Sequence, residues 1–587
     1  MRSLGFEVQT ATDATDAARL LAAVPPSRRV ALVDPRFVGH AHALRLGLTD
    51  PRFPAATVPG ALTAQPEARA ALVRALHRTV AAGGAGGPEE PPAAEDRSVP
   101  GRLAVALDAE GVAVQRPELG SLTAAVPTGD EQRAAAGAAV AAVDDEAVRL
   151  RSAVKAHDGF FTTFFISPYS RYIARWCARR GLTPNQVTTA SLITALIAAG
   201  SAATGTRGGY VAAGVLLLLS FVLDCTDGQL ARYSLQYSTM GAWLDATFDR
   251  AKEYAYYAGL ALGAARGGDD VWVLALGAMV LQACRHVVDF SFNEANHDAV
   301  SNTSPTAALS DRLDSVGWTV WLRRMIVLPI GERWAMIAVL TAVTTPRIVF
   351  CALLIGCALA ACYTTAGRLL RSLTRKAHRT DRAARALADL ADSGPLAQAV
   401  AAVGPKPRGT FTAPALALLG ALVMVAGALF LPFGGWLTVA AAGVYAALSG
   451  LAVARPLKGV LDWLVPPVFR AAEYCTILVL AARSDVPHAV PAAFGLVSAV
   501  AYHHYDTVYR IRGGTGAPPQ WLVRTIGGHE GRTVVVAVLA AVLTQHSGFT
   551  TALTAFAVTV ALVVLVESIR FWVSSSAPAV HDEGELA

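Results

Sequence analysis

The sequence predicts a polytopic all-α membrane protein: a six-helix membrane core, about six further transmembrane helices, and a small N-terminal cytoplasmic α/β domain. Composition and its distribution carry that prediction. Hydrophobic residues make up 53% of the 587-residue chain and charged residues 16%, with a mean hydropathy of +0.42. A soluble chain carries nearer a quarter charged residues. The deficit is local: residues 1–150 read as soluble, while most of 186–573 consists of apolar stretches of membrane-spanning length. The formal net charge of +6 is small for this length, so it points to basic cytoplasmic loops and not to nucleic-acid binding.

The chain divides into an accessory domain over 1–130, connecting and juxtamembrane helices over 131–181, a membrane domain over 182–372, a basic cytoplasmic linker over 373–410 and a second membrane domain over 411–587. In the accessory domain Arg29–Pro35 (RVALVDP) reads as a buried strand ending in a loop, and Asp16–Val24 and Glu67–Val80 read as helices. Residues 81–96 (AAGGAGGPEEPPAAED) are too rich in Gly, Pro and acid to pack, and form a linker. Residues 102–115 (RLAVALDAEGVAVQ) read as a hairpin turning at Glu110-Gly111, and an Ala-rich helix covers about 131–156. Neither G-x-G-x-x-G nor G-x-x-x-x-G-K-[ST] occurs here, so this domain is expected to be non-catalytic. The first residues lack the apolar core of a signal peptide, which places the domain on the cytoplasmic side.

The membrane part opens with an amphipathic approach, DGFFTTFFISPYSRYIARWCARRG (158–181). Its Phe160, Phe161, Phe164 and Phe165 suit the interface, and Arg171, Arg175, Arg179 and Arg180 suit anionic headgroups. Leu182-Thr183-Pro184-Asn185 stops that helix and starts the next. Spans follow at about 186–205, 210–233, 240–264, 271–292, 334–346 and 347–370, then at about 411–431, 434–453, 472–484, 488–508, 533–546 and 549–573.

With the N-terminus inside, the inner loops hold Arg171–Arg180, the cluster at 368–385, Arg455, Lys458, Arg470, Arg510, Arg512, Arg524 and Arg532. The outer turns hold Arg207 and Arg266, with Arg347 and Arg483 at outer helix ends. That asymmetry predicts a multi-pass plasma-membrane protein with a cytoplasmic N-terminus and an even number of spans. Two sets of six spans also fit a transporter, or a non-catalytic membrane protein. A transporter would place ionisable groups near mid-membrane in both halves; here the dense cluster is one-sided and lies at a membrane face.

That cluster is Asp224-Cys225-Thr226-Asp227-Gly228-Gln229-Leu230-Ala231-Arg232, eight residues, then Gly241-Ala242-Trp243-Leu244-Asp245-Ala246-Thr247-Phe248-Asp249. On a helix, 224, 227, 228 and 231 share one face, and 241, 245 and 249 share a face of the next helix. A short connection makes the two helices antiparallel neighbours, so four carboxylates converge at the cytoplasmic ends of two spans. One Asp near mid-membrane costs roughly 2.5–3.5 kcal/mol, and four together also repel one another. Arg232 alone cannot neutralise them, whereas Mg²⁺ or Mn²⁺ matches an all-oxygen ligand set and would also hold substrate phosphates. Gly228, Ala231 and Gly241 leave room on the same faces for a nucleotide.

The pattern D-x₂-D-G-x₂-A-R-x₈-G-x₃-D-x₃-D resembles the signature of the CDP-alcohol phosphotransferases (CDP-alcohol phosphatidyltransferases), and every fixed position is met. The resemblance covers about 155–372, including the six-span layout. Lys155 with Asp158-Gly159, and Ile330-Gly331-Glu332-Arg333, look most like the branch with inositol-phosphate-transferring members. The resemblance implies two Mg²⁺ or Mn²⁺ ions on Asp224, Asp227 and Asp245, with Asp249 completing the site and acting as general base. It implies that Gly228, Ala231 and Gly241 line the CDP pocket and that Arg232 holds the site or its phosphates. The implied partners are a CDP-alcohol donor, an acceptor hydroxyl that can itself be phosphorylated, membrane lipids and a second copy of the chain. The implied reaction transfers a phosphoalcohol and releases CMP.

A phosphorylated acceptor needs cations, and Lys155, Arg180, Arg285, His286, Arg323 and Arg324 are available on the cytoplasmic side. The C-terminal half lacks the acidic signature. Its His503-His504-x-Asp506 could hold a metal or an anion, but adjacent histidines on a helix point about 100° apart and do not readily share one ion. The seven cysteines contain no C-x-x-C pair and indicate no disulfide framework.

Overall fold

The structure is a computed structural model, and it describes residues 1–82, 98–155, 158–297, 327–374, 379–543 and 548–574. These are 74% helical in sum, with a small N-terminal α/β region. They fall into two compact units: 1–156 with 167–187 and 225–238, and 157–166 with 188–224 and 239–587.

In the first unit, α1 (Ala14–Ala23) starts at Asp13, whose carboxylate accepts from the Asp16 amide at 2.8 Å. Then come β1 (Val30–Val33), β2 (Val38–Gly39), α2 (Ala41–Leu48), β3 (Ala55–Val58), β4 (Ala61–Ala64) and α3 (Arg69–Ala82). After them lie α4 (Val99–Ala109), β5 (Val114–Gln115), β6 (Ala124–Ala125), α5 (Asp130–Ala141) and α6 (Asp145–Ser152). The main sheet has the order β1-β4-β3-β5, antiparallel except for the β3–β5 pair, with Val30 opposite Ala64 and Val58 opposite Ala61. Gly60 turns the β3–β4 hairpin at φ +80°, and a Cβ there would sit 2.3 Å from a Val126 methyl. Leu21, Leu72, Leu76, Leu103 and Leu107 bury one core against Leu62 of the sheet. Leu48 of α2 fills a second with Val58 and Ala61. Full burial of each such leucine contributes about 1.5–3 kcal/mol.

The strand at Val30–Val33 and the helices flanking it match the sequence reading. The expected hairpin over 102–115 does not form. Ser98 caps a helix there by accepting from the Gly101 amide at 3.2 Å, Pro100 sits in the first turn, and Leu103 and Leu107 make one buried helical face. Their spacing of four fits the helical period as well as strand alternation, and the cap decides between the two. The single helix expected over 131–156 breaks instead at Asp144, whose carboxylate caps the new helix at the Glu146 and Ala147 amides. Most of the linker read at 81–96 lies outside the described residues.

The first unit continues with α7 (Ser167–Arg179) and includes the last turns of α9 (Arg207–Ser234). Arg149 of α6 donates to the Tyr233 carbonyl at 2.8 Å and lays its guanidinium 3.5 Å from the centre of the Tyr233 ring. Tyr233 in turn donates to Glu146 at 2.7 Å, and Arg52 covers the Tyr237 ring at 4.1 Å.

The second unit holds α8 (Pro184–Ala203), most of α9, α10 (Thr239–Arg266), α11 (Trp272–Asn296), α12 (Ile330–Val343) and α13 (Pro346–Thr374). It continues with α14 (Asp381–Ala391), α15 (Pro395–Val403), α16 (Thr412–Phe430), α17 (Trp436–Ala452), α18 (Val465–Arg483), α19 (Ala489–Arg512), α20 (Gln520–Ile526), α21 (Gly528–Val542) and α22 (Gly548–Ser574). Each expected span coincides with a helix. Among the described residues, seven helices are long and apolar enough to cross a membrane by length and composition, and α17 is a shorter apolar one. The chain is a multi-pass membrane protein. At 28 residues α10 is long enough too, but it carries Asp245, Asp249, Arg250, Lys252 and Glu253. It packs against α8 through Gly259 and Gly263; a Cβ at either would lie 2.3 or 2.1 Å from the carbonyl oxygen of Ala199 or Ala202. Small residues let the backbones approach where lipid supplies no hydrophobic drive.

Residues 381–403, read from the sequence as part of a basic linker, form α14 and α15. Leu387 and Leu390 bury one face of α14, which packs on α11 and α18. At its C-cap, Asp392 takes φ 51° and accepts from Arg532 at 2.8 Å, pairs with Arg470 at 2.9 Å and meets His503 at 3.1 Å. Glu473 completes this buried network, with Arg470 at 2.8 Å and Arg532 at 2.5 Å.

Candidate active site

Helix α9 is continuous through Asp224, Asp227, Gly228, Ala231 and Arg232, and four residues separate its end from the start of α10. Leu235 makes the turn in a left-handed conformation, φ 52°, and the Gln236 amide closes it on the Ala231 carbonyl at 3.0 Å. Helical spacing puts the acids of α9 on one face, as the sequence reading required. One carboxylate oxygen each from Asp224, Asp227 and Asp245 lies within 4.8 Å of the others. Three hard oxygen donors at that separation fit Mg²⁺ or Mn²⁺.

Asp249 does not join that trio. Its Oδ1 lies 2.9 Å from Nζ of Lys252, one turn further along α10, and the same ammonium also bonds Asp224 Oδ1. Lys252 is fully buried; it donates to Ser191 Oγ at 3.2 Å and stands 5.4 Å from the centre of the Trp334 ring. The sequence reading missed this residue. An ionisable group inside an expected span, three positions after Asp249, was the available signal.

A second charged cluster adjoins it on α10. Glu253 pairs with Arg250 at 2.7 Å and with Arg333 at 3.1 Å, and accepts from Tyr257 at 2.7 Å. Arg333 belongs to the Ile330–Arg333 segment singled out from the sequence. The preceding Glu332 accepts from the Phe161 amide at 3.3 Å, and a Cβ on Gly159 would lie 2.5 Å from the Glu332 carboxylate. The structure thus joins the Asp158-Gly159 approach to the start of α12, two stretches 171 residues apart.

Of the nucleotide-pocket candidates, Gly228 faces the Arg232 guanidinium, 3.5 Å from where a Cβ would be, and Arg232 Nε donates to the Ala153 carbonyl at 2.6 Å. Ala231 and Gly241 are half-buried. The acceptor candidates lie on different elements. Lys155 is exposed just after α6, and Arg180 is exposed with its guanidinium 5.4 Å from the Trp176 ring centre. Arg285 is buried on α11 and donates to the Val327 carbonyl, while His286 contacts Gln282 at 2.7 Å and the Tyr505 ring edge-on at 5.5 Å. Arg323 and Arg324 lie outside the described residues. In the C-terminal half His503 pairs with Asp392, while Asp506 bonds Ser568 at 2.8 Å and Trp572 at 2.6 Å. His503 and Asp506 thus bond to different protein partners.

Residues 181–362 match the family described as CDP-alcohol phosphatidyltransferase, and residues 381–587 match a family of unknown function. The chain is similar to phosphatidylinositol phosphate synthase of Streptomyces avermitilis, 29% identical over 154 residues, which are 26% of this chain and 59% of the relative. It is 30% identical over 113 residues to archaetidylinositol phosphate synthase of Pyrococcus horikoshii, 19% of this chain and 58% of the relative. It is 31% identical over 132 residues to the bifunctional IPC transferase and DIPP synthase of Aquifex aeolicus, 22% of this chain and 29% of the relative. The chain thus spans less than two thirds of the length of these curated relatives. The membrane core over 181–362 is a CDP-alcohol phosphatidyltransferase domain.

Proposed function

We propose that the protein transfers a phosphoalcohol group from a CDP-alcohol to an acceptor hydroxyl and releases CMP, with its active site on the cytoplasmic side of the plasma membrane. The observation that carries this reading is the convergence of the Asp224, Asp227 and Asp245 oxygens inside a matched transferase domain. The names of the relatives support a phosphorylated inositol as the acceptor to test first. The Lys and Arg bias of the inner loops supports the orientation.

Asp249 takes the proton from the acceptor hydroxyl, and Lys252 fixes where its carboxylate points. The acceptor oxygen forms a bond to the phosphorus that carries the donor alcohol, and the diphosphate P–O bond to CMP breaks. Gly228, Ala231 and Gly241 leave the cleft in which cytidine and diphosphate lie, and Arg232, held at the Ala153 carbonyl, borders it. Asp224, Asp227 and Asp245 would hold Mg²⁺ or Mn²⁺, which neutralises diphosphate charge and stabilises the leaving CMP.

The test is CMP release by purified protein with Mg²⁺ or Mn²⁺, using lipid and soluble CDP-alcohols and a panel of acceptors that includes inositol phosphate. Release that depends on donor, acceptor and metal supports the proposal. No CMP across the panel, or undiminished release by Asp249→Asn, rejects it.

A further inference from the structure

We propose that Lys252 is a built-in cation standing in for a second metal ion, so that this active site holds one divalent ion, on Asp224, Asp227 and Asp245. The inference rests on the transferase reading above and concerns how its acids are neutralised.

Three observations lead to it. First, the four acids are divided. Oxygens of Asp224, Asp227 and Asp245 cluster, whereas Asp249 turns to the Lys252 ammonium, which it shares with Asp224. An ion bridging Asp224 to Asp249 would need the place that Nζ occupies. Second, this lysine is committed. An ammonium has three donors and no acceptor capacity, and Lys252 has three partners in Asp224, Asp249 and Ser191. Its side chain is fully buried, and its Nζ stands over the Trp334 ring, so it does not reach solvent from there. Third, the charges favour one ion. Four carboxylates are nearly balanced by one divalent ion and Lys252. A second divalent ion would give the empty site a net positive charge and place two cations side by side where the dielectric is low. Lys252 also lies beyond the last fixed position of the aspartate pattern, so its cation is an addition to that pattern.

The experiment is a Mn²⁺ titration of the full-length protein in lipid nanodiscs, read by electron paramagnetic resonance and equilibrium dialysis. Ions bound by an Asp227→Asn, Asp245→Asn double variant are subtracted. Wild type is expected to bind one Mn²⁺ per chain with the six-line spectrum of an isolated ion. Lys252→Met is expected to bind two, with the spin-coupled spectrum of ions roughly 3.5–4 Å apart. Lys252→Arg is expected to stay at one. Two coupled ions in wild type overturn the proposal even if Lys252→Met fails to fold. One ion in both wild type and a folded Lys252→Met overturns it as well. Two ions in wild type together with metal-dependent CMP release leave the transferase reading standing and remove this one, whereas neither Mn²⁺ binding nor CMP release removes both.

Discussion

The indole of Trp572, near the end of α22, stacks on that of Trp243 in α10, with ring centroids 6.1 Å apart and planes 20° from parallel. Trp572 donates to Asp506 at 2.6 Å, Asp506 pairs with Arg510 at 2.8 Å, and Arg510 pairs with Glu567 at 2.6 Å. Trp243 lies between Gly241 and Asp245, so the C-terminal membrane helices brace the turn of α10 that carries the acids. Trp572→Ala should lower kcat for CMP release by up to about tenfold with a smaller change in KM, while Trp572→Phe should retain most of it. An aromatic pair contributes about 0.5–1.5 kcal/mol beyond its burial, and about 1.4 kcal/mol is tenfold in rate. Equal rates for Trp572→Ala and wild type would show that the stack does not position the site.

What the sequence made legible here was periodic or local. Aspartates at fixed offsets on two adjacent helices announce a site because helical geometry alone puts them on common faces. Hydropathy located each span for the same reason. Lys252 escaped because its partner Asp224 lies 28 residues away, and only packing of α9 against α10 shows that a lysine inside a span is a counter-ion. The network of Asp392, Arg470, Glu473 and Arg532 reaches across 140 residues, and no local pattern pairs those charges. The stretch 102–115 is ambiguous for a different reason: leucines four apart fit two periods, and the capping Ser98 lies upstream of it.

Gly228 tests the nucleotide cleft. A Cβ there would only touch the end of the Arg232 side chain, at 3.5 Å, so Gly228→Ala should fold and stay active. Gly228→Leu should fill the cleft and raise KM for the CDP-alcohol at least tenfold while leaving Mn²⁺ binding unchanged. Steady-state kinetics at varied donor and a parallel Mn²⁺ titration check both parts. An unaltered KM in Gly228→Leu would place the nucleotide elsewhere.

His42 predicts an acid-sensitive N-terminal domain. Burial, with Arg149 and Arg45 nearby, pushes its imidazole down to about 4, against a small opposing pull from Asp145. Between pH 6.5 and 4 the unfolded chain binds a proton at this position and the folded chain does not, so stability falls as pH falls through that window. Each unit of the depression corresponds to about 1.4 kcal/mol. Pulse proteolysis of residues 1–150 in the full-length protein at pH 7, 6 and 5 should show rising cleavage, and His42→Gln should flatten the trend. The same slope in His42→Gln would assign the sensitivity to another group.

The buried network of the C-terminal half predicts an asymmetry between removing one charge and removing a pair. Asp392 is the hub, held well below the usual carboxylate range by Arg532, Arg470 and His503 despite its burial. Its contribution is therefore present above the unfolded value near 3.8 and is lost only as pH falls below it. Asp392→Asn leaves Arg532 and Arg470 short of a buried counter-charge, and stranding one partner of a buried pair costs about 3–5 kcal/mol. Pairing that change with Arg532→Met removes one of the stranded cations and should recover part of the loss, because an apolar side chain of similar length needs no partner. Thermal unfolding in detergent should give single variants well below wild type and a double variant above the Asp392→Asn single. If the two losses simply add, the ion pair is not what holds α14 to α21, and the backbone bond from the His529 amide to the Asp392 carbonyl, at 3.2 Å, carries that contact instead.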